Sequence, residues 1–432
     1  MRHGDQVRTP DGETYRRRPL QATKSVIEAV TTTSTPIRHL LERPPLEVAG
    51  FAYGGLRIRV CASRPSDLTW LSEFLLPAFE RADGGRPDVE VRLHADADAF
   101  RAIRDAGPAG ASTTAFALDG RLTAARVWNG RGPWSIIFDE EGGVFYLRSP
   151  DRSVFLVLAK HTRHSVRGAV MRAVRELAMN AARAQGDGLI LHGAAVSVGG
   201  QGVVIAGPKH AGKTTTLVSL LRNEGAEYVS NDRVVLQSNG DGVRITGLPT
   251  FASVRDGTLG LFPDVRRRLL DAGFHARFTL EEAPGRSDPP QAMDDGRYSL
   301  SPAQLCHLLD APAVGSSPAT AIVCLTPFLE PPPDGRARAT LAPLEPELAA
   351  ERIMSTRLGV AYGAVPSRFF AKQAAGAPLE ATPATVERRC EEIASRVPCF
   401  EWSPLRGRPG RGLVNGLSAH AGLASIGTGD LS

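Results

Sequence analysis

The sequence predicts a mixed α/β protein in which a smaller α/β unit precedes a larger one built around a strand, a glycine-bearing loop and a helix. Three observations predict it. Short runs such as Leu56-Arg57-Ile58-Arg59-Val60 and Val89-Glu90-Val91-Arg92-Leu93 alternate apolar and polar residues, the two-residue period of a half-buried strand. Midway along the chain, Val166, Ala169, Val170, Ala173, Val174, Leu177, Ala178 and Ala181 recur at helical spacing. Beyond them the apolar strand Val203-Val204-Ile205-Ala206 runs into a loop at Gly207 and then into a helix bearing Thr216, Leu217, Leu220 and Leu221.

In chain order, residues 1–45 are polar, basic and rich in Thr, Arg and Pro, and read as a disordered basic arm. Residues 46–186 read as the N-terminal α/β unit. After the strand at Leu56–Val60, Ser66-Asp67 offers an N-cap for a helix running to about Ala82, stopped by Gly84-Gly85. The strand at Val89–Leu93 follows. Ile136-Ile137-Phe138 and Val144–Leu147 flank a turn at Glu141-Gly142-Gly143 and read as a hairpin. Val154–Leu158 adds a strand, and the helix Val166–Arg183 closes the unit with Gly186 as its C-cap. Arg167, Arg172, Arg175 and Arg183 lie off its apolar stripe and read as a solvated face, with phosphate binding as the alternative.

Residues 187–405 form the larger unit. Leu189–His192 and Ala194–Val198 read as successive strands, and Gly199-Gly200 turns the chain into the strand before the loop. The polar, Pro-rich stretch Glu281–Gly296 reads as a mobile loop, and Thr385–Arg396 as a helix. Residues 406–432 are Gly-rich and read as a disordered tail.

Composition removes several function classes. The net charge is +5, but residues 1–45 contribute +3 of it and residues 406–432 contribute +2. The body is close to neutral, unlike a nucleic-acid binder with a basic stripe on its folded surface. The cysteines (Cys61, Cys306, Cys324, Cys390, Cys399) include no CxxC pair, which argues against a disulfide framework or a structural zinc site. Residues 1–18 lack the apolar core of a secretory signal, and no apolar run approaches a membrane span. The expectation is a cytoplasmic protein with no nucleic-acid or membrane partner.

The segment Gly207-Pro208-Lys209-His210-Ala211-Gly212-Lys213-Thr214 has the spacing of a phosphate loop. Triphosphate needs several donors without steric strain. A glycine turn lets backbone N–H groups point inward, and the following helix adds its partial positive charge. Lys213 would reach the β and γ phosphates and Thr214 would offer its hydroxyl to Mg²⁺, so ATP with Mg²⁺ is the expected ligand. Thr215 completes the candidate binding set, and Lys209 is placed to add charge over the phosphates or to point to water. Asp232 lies 19 residues after Lys213, at the end of Tyr228-Val229-Ser230-Asn231. A carboxylate at a strand tip beside such a loop holds Mg²⁺ or activates a nucleophile. Arg255 and Arg297 are further candidates for clamping a phosphate.

His192-Gly193-Ala194-Ala195-Val196, the loop Gly207–Thr214 and Ser230-Asn231-Asp232-Arg233-Val234 together resemble the HPr kinase/phosphorylase family in order and spacing, with phosphoenolpyruvate carboxykinase as a more distant relative in site architecture. The strong resemblance covers roughly residues 175–250, and the N-terminal unit does not share it. It implies an α/β nucleotide-binding fold of that type and transfer of the ATP γ-phosphoryl group to a hydroxyl. The acceptor would be a serine of a peptide or protein, including a modified-peptide precursor, and a homo-oligomer is compatible with the resemblance. His192 would touch phosphate or shape the site. The family carries two aspartates where this chain has Asn231 and Asp232. The amide cannot take a proton, so Asp232 alone is left as base or metal ligand. A positioned base contributes about 10²–10⁴-fold, whereas phosphoryl transfer draws mostly on positioning and charge stabilisation. Two readings therefore stand: a serine-type kinase, and an ATP-binding regulator that hydrolyses weakly or not at all. A carboxykinase-type enzyme lacks a second metal-ligand cluster in the sequence, and a DNA-dependent motor would place its acidic strand further from the loop.

Overall fold

A computed structural model describes residues 6–8, 14–16, 36–45, 47–106, 112–118, 121–128, 134–140, 142–160, 164–184, 188–223, 225–240, 242–271, 297–326, 340–358, 369–370, 381–404 and 413–421. Its architecture is mixed α/β, with a nine-stranded and an eight-stranded sheet.

Within the first 45 residues, β1 (Gln6–Arg8) and β2 (Thr14–Arg16) pair as a hairpin. A helix, α1, spans residues 36–42. Ile37 and Leu40, spaced to share a helix face, are buried against the first sheet, so this part of the expected arm is ordered by apolar docking.

The first sheet contains β3 (Glu47–Tyr53), β4 (Leu56–Ala62), β5 (Glu80–Arg81), β6 (Val89–Ala95), β7 (Ser112–Leu118), β8 (Arg121–Trp128), β9 (Ser135–Asp139), β10 (Val144–Arg148) and β11 (Val154–Ala159). Their order across the sheet is β5-β3-β4-β6-β11-β10-β9-β8-β7. The parallel strands β4, β6 and β11 form its centre. Each is followed by a helix: α2 (Pro65–Leu75), α3 (Ala97–Asp105) and α4 (His164–Ala184). Alternation divides the strand side chains between two cores. Val60, Val91, Phe155 and Val157 meet α2 and α4 on one face. Phe145, Leu156 and Leu158 meet α1 and α3 on the other.

Helix α2 stops at Leu75, short of the expected Ala82. Leu76 is extended (φ −77°, ψ 149°) and precedes Pro77, whose ring disfavours helical backbone in the residue before it. The expected solvated arginine face of α4 is also corrected. The helix lies between the sheets, touching β6, β10 and β11 on one side and β12 (Gly188–Val198) on the other. Arg167 and Arg175 are only 1% and 3% exposed. Arg167 Nε donates to Asp67 Oδ1 at 3.1 Å, and Arg172 Nη1 donates to Tyr146 Oη at 2.6 Å. Such burial is tolerable because the charges are paired.

The second sheet contains β12, β13 (Gln201–Ala206), β14 (Glu227–Ser230), β15 (Arg233–Asn239), β16 (Gly242–Leu248), β19 (Ser316–Leu325), β20 (Thr340–Pro343) and β21 (Cys399–Ser403). The two strands expected at 189–192 and 194–198 are one continuous strand, β12. Its first half pairs with β15, its second with β13 and β14. Strand β19 likewise joins β16 near its start and β13 and β21 further on, so the two long strands tie two layers together. Helix α5 (Lys213–Asn223) packs on β12 and β13. Helices α6 (Asp256–Leu261), α7 (Pro263–Asp271) and α8 (Pro302–Leu309) share its apolar core, as does the ribbon of β17 (Ala252–Arg255) and β18 (Arg297–Leu300). Helices α9 (Pro346–Ser355) and α10 (Pro383–Arg396) cover the other face. The expected tail contains a last helix, α11 (Leu413–Ala421), whose Leu413, Val414 and Leu417 join the core beside α5. The expected loop Glu281–Gly296 and the cap Gly186 lie outside the described residues. Among the described residues, no helix is long and apolar enough to cross a membrane.

Candidate functional site

Strand register builds the site. β12 pairs Gly193 with Ala206, the last residue of β13, and pairs His192 with Arg233, the first residue of β15. His192 is thus held between the start of the loop and the 231–232 corner. Its backbone N–H is fixed by Thr356 O at 2.8 Å, and the Gly193 N–H reaches Asp232 O at 3.1 Å.

The loop leaves β13 at Gly207 with φ 151°, and Gly212 leads into α5 with φ 91°. Both values favour glycine. A Cβ on Gly207 would also lie 3.1 Å from Leu325 Cβ, so the neighbouring strand adds a steric reason. His210 takes a left-handed conformation (φ 70°) at the loop's tip, and Pro208, Lys209 and His210 are all exposed there. Ala211 turns inward to the core below α5.

Lys213 opens α5 and is buried, with Nζ donating to Gly207 O and Pro208 O at 2.9 Å each. Burial lowers its pKa, and the nearby charge of Asp232 opposes that shift. Thr214 is partly buried. Thr215, expected among the nucleotide ligands, shares a buried hydrogen bond of 2.9 Å between its hydroxyl and that of Thr258 at the head of α6. Its side chain therefore joins α5 to α6, leaving its backbone N–H as the group available to a phosphate.

Asp232 sits at the corner between β14 and β15. One carboxylate oxygen is 3.4 Å from His192 Nε2 and the other 3.4 Å from Arg233 Nε. Its side chain is 40% exposed. Burial is the largest influence on its pKa and pushes it up. The hydrogen bond from His192 and the charges of Arg233, His192 and Arg175 together outweigh burial and hold the pKa at about 2. Asp232 is therefore a firmly ionised carboxylate. It suits cation binding and electrostatic positioning better than proton abstraction.

Asn231 faces the other way and is 6% exposed. Its Oδ1 accepts from Tyr228 Oη, and its Nδ2 donates to Thr250 Oγ1 at 3.2 Å and to Phe251 O at 3.3 Å. The amide is thus a strut between β14 and the segment after β16.

The structure brings Lys213, Asp232 and His192 to one corner of the sheet. It also adds residues that sequence reasoning missed. Arg175 reaches the surroundings of Asp232 from α4, and Glu176 Oε1 lies 3.8 Å from Arg233 Nη1. The arginines of α4 were visible as a row, but nothing local to the sequence showed that the row points inward. Tyr228 and Thr250 hold Asn231, and Thr258 holds Thr215. Arg255 and Arg297 pair directly across the β17–β18 ribbon, which touches α5 through β17.

No protein-family model matches the chain, and no curated protein matches it. Among solved structures, the Hpr(Ser) kinase/phosphatase from Coxiella burnetii is similar at 13% identity and a TM-score of 0.18, over 36% of this chain and 70% of that one. The likeness is a slight one.

Proposed function

We propose that the chain is an ATP-dependent phosphotransferase of the HPr-kinase-like class, transferring a γ-phosphoryl group to a hydroxyl, with a peptide or protein serine as acceptor. The observation that carries this reading is the meeting of Lys213 and the ionised Asp232 beside a glycine loop that opens a helix. On this reading residues 187–405 form the nucleotide-binding domain, residues 46–186 the preceding one, and the protein works in the cytoplasm. The loop from Gly207 to Thr215 cradles the phosphates with backbone N–H groups, and Lys213 exchanges its two carbonyl acceptors for phosphate oxygens. Among the described residues no cluster of three or more His, Cys, Asp or Glu could hold a metal. Mg²⁺ would therefore be held by Thr214, Asp232 and the phosphates, and would neutralise phosphate charge. That division suits a hard, oxygen-liking ion that keeps several waters. His192 and Arg233 orient the carboxylate, and Arg175 adds positive charge behind it.

A second reading has its own support. Asn231 is committed to the core and Asp232 is a weak base at a pKa of about 2, so neither residue of the 231–232 corner supplies a strong base. That favours an ATP-binding regulator with little turnover. Incubation with γ-labelled ATP, Mg²⁺ and a panel of serine-containing peptides separates the two. Label transfer that disappears in both Lys213→Ala and Asp232→Asn supports the kinase. Tight ATP binding with no transfer and no phosphate release supports the regulator. No ATP binding at all refutes both.

A further inference from the structure

The first sheet has a crevice of its own, apart from the loop at Gly207. After β4 the chain crosses to α2 on one face of the sheet, and after the adjacent parallel strand β6 it crosses to α3 on the other. Such a reversal opens a crevice at the carboxyl ends of the two strands, where open α/β sheets bind their ligands. A cavity of about 120 Å³ lies there, lined by Arg43, Cys61, Ser63, Arg92, His94 and Asp96 among others. A cavity of about 150 Å³ accommodates benzene, so there is room here for roughly five non-hydrogen atoms, the size of a carboxylate or phosphate group.

The charges around it are unbalanced. Arg43 Nη1 meets Asp96 Oδ2 at 2.7 Å, while Arg92 Nε and Arg59 Nη1 share Glu90 at 2.6 and 3.5 Å. Arg92 Nη1 also donates to Leu41 O, and Arg92 Nη2 has no acceptor among the described residues. At the cavity wall two guanidinium groups, Arg43 and Arg92, thus face one carboxylate, Asp96. The Arg43–Asp96 pair is an exchangeable one, because Arg43 is 47% exposed and Asp96 keeps the Asp98 and Ala99 N–H groups whether or not Arg43 stays. A pair with one partner this exposed is held together only weakly. His94 adds a neutral imidazole, since burial and the neighbouring Arg43 and Arg92 push its pKa down to about 4.

We propose that this crevice binds a small oxyanion-bearing metabolite, a carboxylate or a phosphate ester, with Arg43 and Arg92 as its recognition residues. The test uses the full-length chain carrying Lys213→Ala, so that the phosphate loop does not compete for the probe. The imidazole Cε1–H signal of His94 is identified by its loss in His94→Gln and followed during titration with inorganic phosphate or with acetate, against chloride at matched ionic strength. A saturable shift at millimolar probe, weakened at least tenfold by Arg43→Ala, is expected. Saturation by one probe and not the other supports the site and says which oxyanion it takes. Drift identical to that in chloride, or an unchanged titration in Arg43→Ala, overturns the proposal.

Discussion

Replacing Asn231 by Asp would recreate the paired carboxylates of the resembling family, and the structure forecasts damage instead of gained catalysis. Asn231 Nδ2 donates to Thr250 Oγ1 and Phe251 O, and the amide is 6% exposed. In Asn231→Asp an oxygen replaces that donor. The Thr250 hydroxyl can rotate to donate, but the Phe251 carbonyl cannot. It loses its donor and faces a carboxylate oxygen at about the present 3.3 Å. A buried polar group left unsatisfied costs about 1–3 kcal/mol, and a lost hydrogen bond about 1 kcal/mol. The expected loss is about 2–4 kcal/mol in urea denaturation at pH 7. The new carboxyl would be buried beside a carbonyl, so its folded pKa is raised above the ordinary value of about 3.9. A raised acid contributes stability below its unfolded pKa and loses it as pH rises through the folded pKa. The deficit should therefore shrink between pH 7 and pH 4, where the protonated acid can again donate to Phe251 O. An Asn231→Asp protein as stable as the parent at pH 7, with faster phosphoryl transfer, would refute the reasoning.

Thr215→Val should cost about 1 kcal/mol through the lost Thr258 hydrogen bond while leaving ATP affinity within about twofold; a tenfold loss in calorimetric titration would show that the hydroxyl serves the nucleotide. Asp67→Ala removes the carboxylate paired with Arg167, which is 1% exposed, and should cost about 3–5 kcal/mol in urea denaturation. The double variant Asp67→Ala with Arg167→Leu should recover part of that loss, and failure to recover any would remove the buried pair as its cause. For Asp232 the lowered pKa means stability present above the unfolded value of about 3.9 and lost as pH falls through about 2. The stability difference between the parent and Asp232→Asn should shrink as pH falls from about 4 through about 2. If the chain turns over ATP, its rate should show no acidic limb between pH 5 and 7 that Asp232→Asn abolishes; such a limb would mean a carboxyl poised for proton transfer.

The local parts of the fold were legible in the sequence because they rest on short-range periodicity. Leu56–Val60, Val89–Leu93 and Val154–Leu158 each fall within an observed strand, and the apolar stripe of α4 and the strand–loop–helix at Gly207 stand as read. Three helices depart from what the sequence suggests, for two different reasons. The end of α2 was available in the sequence at Pro77, a stronger local breaker than the distant Gly84-Gly85. The docking of α1 and α11 was not, because a few apolar residues in a polar stretch become core only when a sheet face is there to receive them.

The sequence by itself determined the glycine loop between strand and helix, the nearness in chain of Asp232 to it, and the presence of a histidine two strands away in order. All of these depend on spacing along one chain segment. Tertiary structure alone decided what those groups are electrostatically. It turned Asn231 into the core and surrounded Asp232 with His192, Arg233 and Arg175, the last lying 57 positions earlier. It also buried Arg167 and Arg175 of α4, which periodicity had assigned to water, because a second sheet packs on the helix's other side. A pattern along one helix records which residues differ from one another. Whether a charged face meets water or protein depends on elements distant in sequence, and so does the pKa of the carboxylate that face confronts.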